Sequence, residues 1–222
     1  MRAWVIGNGP SLKNTNLDLL DGEVTFACNR INLLYNKTSW RPSHYIRVEG
    51  MELLNEPDPS IWREDFETHM DMVGCTVWAN LYFINKLGIK PPTNKFQVIR
   101  SCAHYTAHYD DSNCPHQWHM PIYCTFGSSV NVAIQIAYKL KYNPIYLVGC
   151  DLGYKDGEPS HFTDEYEEGY WDMLRPAKYA NLDTLAAHMQ AARTVPKGTI
   201  LNATKGGFLE VYDRVDYESL FT

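Results

Sequence analysis

One stretch constrains the fold more than any other: Pro144-Ile145-Tyr146-Leu147-Val148-Gly149-Cys150-Asp151. Its core is apolar at successive positions, not alternate ones, so a strand formed there must be buried on both faces. That is the environment of a central strand in a parallel sheet covered by helices. Ala3-Trp4-Val5-Ile6 has the same character and ends abruptly at Gly7-Asn8-Gly9-Pro10-Ser11, as a buried strand entering a tight turn does. Val24 to Cys28 carries the β-branched and aromatic residues of a second strand, ended by Asn29-Arg30, and His44 to Glu49 alternates as a third. Ser128-Ser129 cap a helix whose apolar side runs Val130, Val132, Ala133, Ile136, Ala137, Leu140. Strands alternating with helices predict an α/β fold: a Rossmann-like, doubly wound, mainly parallel sheet forming one domain over 1–222.

The rest of the chain is read with that frame. After the first loop a short helix is expected, capped by Ser11 or Asn14, with Leu12, Leu17, Leu19 and Leu20 inward. Between Met51 and Pro121 there are acidic helix signals around Asp58 to Met72 and strands at Thr76 to Trp78 and Phe96 to Ile99, joined by irregular connections. Residues 153–176, dense in Tyr, Asp, Glu and Gly, read as a small lid within the domain. Tyr179 to Thr194 is a helix with Leu182, Leu185, Ala186 and Met189 on one side, stopped at Pro196-Lys197-Gly198. Thr199 to Asn202 forms a last short strand, followed by a Gly206-Gly207 turn and an acidic, aromatic tail.

Composition narrows the function classes. With 20 Lys plus Arg against 26 Asp plus Glu the formal charge is −6, and the densest basic stretch is Lys139 to Lys141, which argues against nucleic acid as a partner. A nucleotide in a pocket stays compatible with that balance. No run approaches the roughly 18 apolar residues of a membrane span, and the amino terminus turns polar too early for a signal peptide. The expected location is the cytoplasm, with a peripheral place at the membrane and a homo-oligomeric state both left open. Six dispersed cysteines in a chain of 222 residues are expected to be reduced, so the sequons at Asn36 and Asn202 are coincidental.

Ligands of open parallel sheets sit beyond the carboxyl ends of the strands. The residues there are polar and compact: Gly7 to Ser11 after the first strand, Asn29 after the second, Glu49 after the third and Asp151 after the late one. Small residues let backbone approach a phosphate, and a helix start behind them offers free N–H groups. The same turn also suits a plain strand-to-helix connection, and Asp151 equally suits a carboxylate that orders its loop. A separate Cys and His cluster, Cys102, His104, His108, Cys114, His116, His119 and Cys124, matches no standard zinc spacing, and a packed loop is the favoured reading over a metal site.

Several blocks carry a resemblance. Val5-Ile6-Gly7-Asn8-Gly9-Pro10-Ser11-Leu12 with Phe26-Ala27-Cys28-Asn29-Arg30 resembles the opening of the bacterial lipooligosaccharide sialyltransferases and of the related 6-hydroxymethylpterin pyrophosphokinase-like superfamily. Ser128-Ser129, with Ile145 to Asp151, is similar to that group's second block, and Ile200 to Gly207 to its closing segment. The sialyltransferase resemblance implies an enzyme that needs no cofactor or metal and transfers a sialic-acid-like sugar from a CMP-activated donor to a glycan acceptor. It implies that Gly7, Asn8, Gly9, Pro10 and Ser11 approach the nucleotide, Asn29 the donor, and Ser128 and Ser129 its carboxylate or cytidine side, with Asp151 at the same edge. Tyr154 and one of Tyr166 or Tyr170 would stabilise the departing phosphate, and His161 would act as base toward the acceptor hydroxyl. The chain departs from the sialyltransferases in lacking a glycine after the paired serines. The pyrophosphokinase branch, acting on a pterin-like small molecule, would need magnesium held by carboxylates, and Asp151 is the strong acidic strand end available. A non-catalytic nucleotide or glycan binder of surface polysaccharide synthesis is the alternative from another class.

Overall fold

The computed structural model describes residues 1–48, 60–80, 84, 85, 87–90, 94–101, 122, 123, 128–166 and 177–222. Its strands are β1 (Ala3–Ile6), β2 (Thr25–Cys28), β3 (His44–Arg47), β4 (Thr76–Asn80), β5 (Phe96–Ser101), β6 (Ile122–Tyr123), β7 (Ile145–Val148) and β8 (Ile200–Asn202). The helices are α1 (Ser60–Asp71), α2 (Ser129–Lys139) and α3 (Ala177–Thr194).

All eight strands join one sheet in the order β6-β5-β4-β3-β2-β1-β7-β8, and every pairing is parallel. The chain therefore winds outward from β1 to one edge and then crosses back to lay β7 on β1's other side. The order reverses between β1 and β7, the place where open parallel sheets form a ligand crevice beyond the carboxyl ends of their strands. Both strands are fully buried, as their unbroken apolar runs require. Successive side chains supply opposite layers: Trp4, Ile6, Tyr146 and Val148 enter one core, Ala3, Val5, Ile145 and Leu147 the other.

The two layers are built differently. α2 and α3 cover the second core, and α2 is buried along Asn131 to Ala137. The first is covered by α1, by short 3-10 turns at Pro10–Asn14, Leu17–Leu20 and Ile31–Leu34, and by the carboxyl-terminal tail. One expectation needs correction here, and one segment gains a role. The segment after β1 is not one capped α-helix: neither Ser11 nor Asn14 caps it, and Asn16 accepts from the N–H of Asp18 at the start of the second turn. The aromatic tail is core: Trp4 stacks on Tyr146 and Phe221, with centroids 4.6 and 5.2 Å apart, and meets Tyr217 edge-on.

α3 also differs from its sequence reading. Leu182 and Met189 lie 40% and 39% exposed, and the buried side carries Ala187, His188, Ala191 and Val195. Small alanines let the helix pack against α2 and the sheet, so its apolar leucine side was not the docking side. The expected strands at Thr76 and Phe96 exist and run longer than predicted, which extends the sheet well beyond its apolar centre. β3 ends at Arg47; Glu49 lies outside the described residues, as do Tyr170 and the whole Cys102 to Cys124 cluster. Cys28, Cys75 and Cys150 are buried and lie outside any disulfide.

Candidate functional site at the strand-order reversal

The loops after β1 and β7 meet backbone to backbone. Gly7 donates its N–H to Val148 O at 2.8 Å and Gly9 to Gly149 O at 2.9 Å. A Cβ on Gly9 would run into the Asp151 carboxylate and come within 2.8 Å of Gly149 O, so the absence of a side chain is already required by the neighbouring loop. Gly149, at φ +67°, is confined by Leu12 in the same way. The glycine pattern read as backbone approach to a phosphate is thus accounted for first by loop-to-loop contact.

Asp151 holds this junction. Its carboxylate accepts the N–H of Ser11 at 3.1 Å and the Ser11 hydroxyl at 2.8 Å, across 140 residues of sequence. Burial raises its pKa, and the Ser11 bonds oppose that rise. Ser11 is therefore turned to Asp151 and does not line the cavity described below, against the expectation that it meets the ligand. The start of the Pro10–Asn14 turn already faces an anionic side chain.

The crevice contains a cavity of about 410 Å³, a size that suits a small organic ligand. Its floor is Gly7 to Pro10 and Gly149 to Leu152. Asn8 donates from Nδ2 to Cys28 O at 3.0 Å, tying the first loop to β2, and its buried Oδ1 has no hydrogen-bond partner among the described residues. Asn29 follows β2 in the left-handed region at φ +54°, which asparagine tolerates better than most residues. That turn brings its Oδ1 to the Ser129 hydroxyl at 3.1 Å. Ser128 caps α2 by accepting from the N–H of Asn131 at 3.3 Å, and Ser128, Ser129 and Val130 form one wall. The start of α2, where a helix has unpaired N–H groups and the positive end of its dipole, therefore lies at the cavity wall.

The opposite rim comes from the start of the expected lid. Asn181 of α3 accepts the N–H groups of Gly153 and Tyr154 at 2.9 and 2.8 Å and returns a bond to Tyr154 O. Leu152 beside them sits at φ +57°, a strained conformation for leucine. The Tyr154 hydroxyl bonds to Thr184, and burial pushes its pKa up to about 12, so it is an O–H donor at neutral pH. His161 lines the cavity with its ring stacked on Tyr166 at 3.8 Å and 9°. Phe162 donates its N–H to Asn8 O at 3.0 Å, fixing this segment to the first loop. Of the other carboxylates on the wall, Glu158 pairs with Lys155 on an exposed turn.

Five contributors escaped the sequence reading. Thr184 and His188 are one turn apart on α3 and both line the cavity; polar residues at i and i+4 in an otherwise alanine-rich helix were the available signal. Phe208 lies 67% exposed at the cavity wall, with its N–H on Asp151 O at 2.6 Å. Arg214 holds the turn before it by bonds to the carbonyls of Thr204, Gly206 and Gly207. Arg30 donates to the carbonyls of Glu165 and Tyr166 at 2.7 and 2.9 Å and lies 3.5 Å from Asp65 of α1, so a buried cation supports the turn behind His161.

Among the described residues no group of three or more His, Cys, Asp or Glu side chains is arranged to hold a metal ion, and no helix is long and apolar enough to cross a membrane. Neither a family model nor a curated protein sequence matches the chain. Its fold is similar to that of the MAf glycosyltransferase from Magnetospirillum magneticum AMB-1, with a TM-score of 0.56 at 15% identity. The match covers 98% of this chain and 34% of that one, so this chain spans about a third of that protein's length.

Proposed function

We propose that the chain is a glycosyltransferase that binds a CMP-activated, sialic-acid-like donor in the crevice between β1 and β7 and transfers the sugar to a glycan acceptor without a metal. The observation that carries this reading is the convergence of Asn8, Asn29, Ser128, Ser129, Tyr154 and His161, from four separated segments, on one 410 Å³ cavity. The similarity in fold to a glycosyltransferase supports the class; the choice of CMP and of the sugar rests on the sequence resemblance.

Each group then has work suited to its surroundings. The α2 amino terminus, with Ser129 held by Asn29, offers N–H and O–H donors to the donor's anionic groups. The protonated Tyr154, with Tyr166 nearby, donates to the departing phosphate oxygen, where charge grows as the glycosidic bond breaks. His161 takes the proton of the attacking acceptor hydroxyl, a task for an imidazole near neutrality. Tyr166, packed flat against the ring, sets its orientation. Both Asp151 oxygens are engaged by Ser11 and Glu158 pairs with Lys155, so the wall carboxylates are committed to other partners, which places the magnesium-dependent pyrophosphokinase second.

The test is transfer from CMP-sialic acid to a lactose-terminated acceptor, with CMP release followed in parallel. Wild type should turn over with EDTA present, and His161→Ala should lose about 10²-fold to 10⁴-fold in kcat with little change in donor affinity. Wild-type rates in His161→Ala at saturating acceptor refute its role. CMP binding with no turnover on any acceptor would make the protein a binder.

A further inference from the structure

One titratable side chain in the cavity has no role above. His188 of α3 is 1% exposed, lies one turn beyond Thr184 and lines the cavity wall. Its Nδ1 is 3.1 Å from the hydroxyl of Tyr212, and that same hydroxyl is 3.0 Å from the backbone carbonyl of His188. A carbonyl only accepts, and a phenol has one hydrogen. The Tyr212 proton therefore goes to the carbonyl, and the phenol oxygen must receive a proton from Nδ1. The tautomer is fixed as Nδ1–H, leaving Nε2 with a bare lone pair. Nε2 takes no part in that pair, and the side chain that carries it lines the cavity. Burial lowers the ring's pKa to about 4, so Nε2 stays unprotonated at neutral pH, and Tyr212, itself pushed up by burial, keeps its proton.

A bare lone pair on a cavity wall takes its hydrogen from water or from a bound ligand. We propose that Nε2 of His188 is a ligand-reading acceptor: it receives an O–H or N–H hydrogen of the bound nucleotide sugar and so fixes which end of the ligand occupies the α3 side of the cavity. This rests on the proposal that the cavity takes a nucleotide sugar. A phosphate or carboxylate oxygen would set lone pair against lone pair there, so the anionic groups are directed to the α2 wall instead. Tyr212, which does not line the cavity, acts through His188 as a positioning residue that holds the tautomer. The hydrogen can come from the amine of the cytosine base or from a hydroxyl of the transferred sugar, and the two sources give different results below.

The experiment combines calorimetric titration of CMP, UMP and CMP-sialic acid with ¹⁵N spectra of the histidine rings in the intact protein. In wild type, the free His188 ring should show a protonated Nδ1 and an unprotonated Nε2, and Nε2 should shift on ligand addition. His188→Phe, which keeps a ring but removes the acceptor, should weaken binding about 10-fold to 100-fold, the scale of one buried hydrogen bond. His188→Gln, whose amide oxygen can accept, should recover most of that loss. Tyr212→Phe should leave a mixture of tautomers and weaken binding by several-fold. A loss for CMP but not UMP identifies the base amine as the hydrogen source; a loss confined to CMP-sialic acid identifies a sugar hydroxyl. Failure of wild type to bind any of the three removes the nucleotide-sugar reading, and this assignment falls with it. Binding by wild type with an unshifted Nε2 resonance, or undiminished binding by folded His188→Phe, overturns this assignment alone. The wild-type spectra decide the matter even if the Phe variant fails to fold.

Discussion

Removing the Asp151 carboxylate tests whether the two central loops are joined as described. Asp151→Ala deletes two charge-assisted hydrogen bonds to Ser11, at 3.1 and 2.8 Å, a type whose net contribution is about 1.5–3 kcal/mol each. The sum overstates the loss, because the raised pKa shows that burial penalises the carboxylate more than Ser11 repays. A net destabilisation of about 1–2 kcal/mol is expected at pH 7, or roughly 2–8 °C in Tm for a chain of this size. Asp151→Asn keeps the shape and an accepting oxygen without the buried charge, so it should match wild type or exceed it. The pH dependence has a definite sign. A carboxyl whose folded pKa is raised stabilises the folded state below its unfolded value, and that stability is lost as pH rises through the folded pKa. Wild type should therefore lose stability relative to Asp151→Asn between about pH 4 and neutrality. Calorimetric scans of the three proteins from pH 3.5 to 7.5 read this directly. Equal losses in the Ala and Asn variants at pH 7, or no loss in either, would refute the Ser11 clamp.

Two further expectations concern other parts of the fold. Arg30→Met should destabilise by about 3 kcal/mol, since it leaves buried Asp65 with Arg47 as the one cation of the pair beside it, and should speed amide exchange over residues 161–166; unchanged exchange there would separate Arg30 from the support of His161. Burial lowers His44, His69 and His188 to about 4, 3 and 4, so their stabilising neutral forms are fully present above pH 6.5 and lost as pH falls toward those values. The urea midpoint should drop steeply between pH 6.5 and 4, with His44 and His188 each contributing roughly 3 kcal/mol at pH 4; a flat profile would contradict their burial as neutral rings.

The centre of the fold was legible because burial on both faces leaves a mark in sequence: β1 and β7 are apolar at every position. The strand ends were legible for the same reason, since apolar runs stopping at Gly7-Asn8 and Gly149-Cys150-Asp151 mark where the backbone leaves the core. What was not legible depends on partners distant in sequence. Ser11 faces Asp151 and not the cavity because of a contact across 140 residues. The inward face of α3 was misread because alanines, not its leucines, make the close packing, which also hid His188. The packing of the aromatic tail was not legible either, since Phe221 finds its surface on Trp4, at the other end of the chain.

The central claim is that the crevice between β1 and β7 holds a nucleotide, and backbone amide shift mapping with CMP tests it most directly. Saturable shifts should centre on Asn8, Asn29, Ser128, Ser129 and Val130, with Tyr154 and His161 at the edge, and leave the β3 to β5 side of the sheet unmoved. No saturable shifts with CMP or CMP-sialic acid at millimolar concentration, or shifts centred away from these loops, would contradict the account.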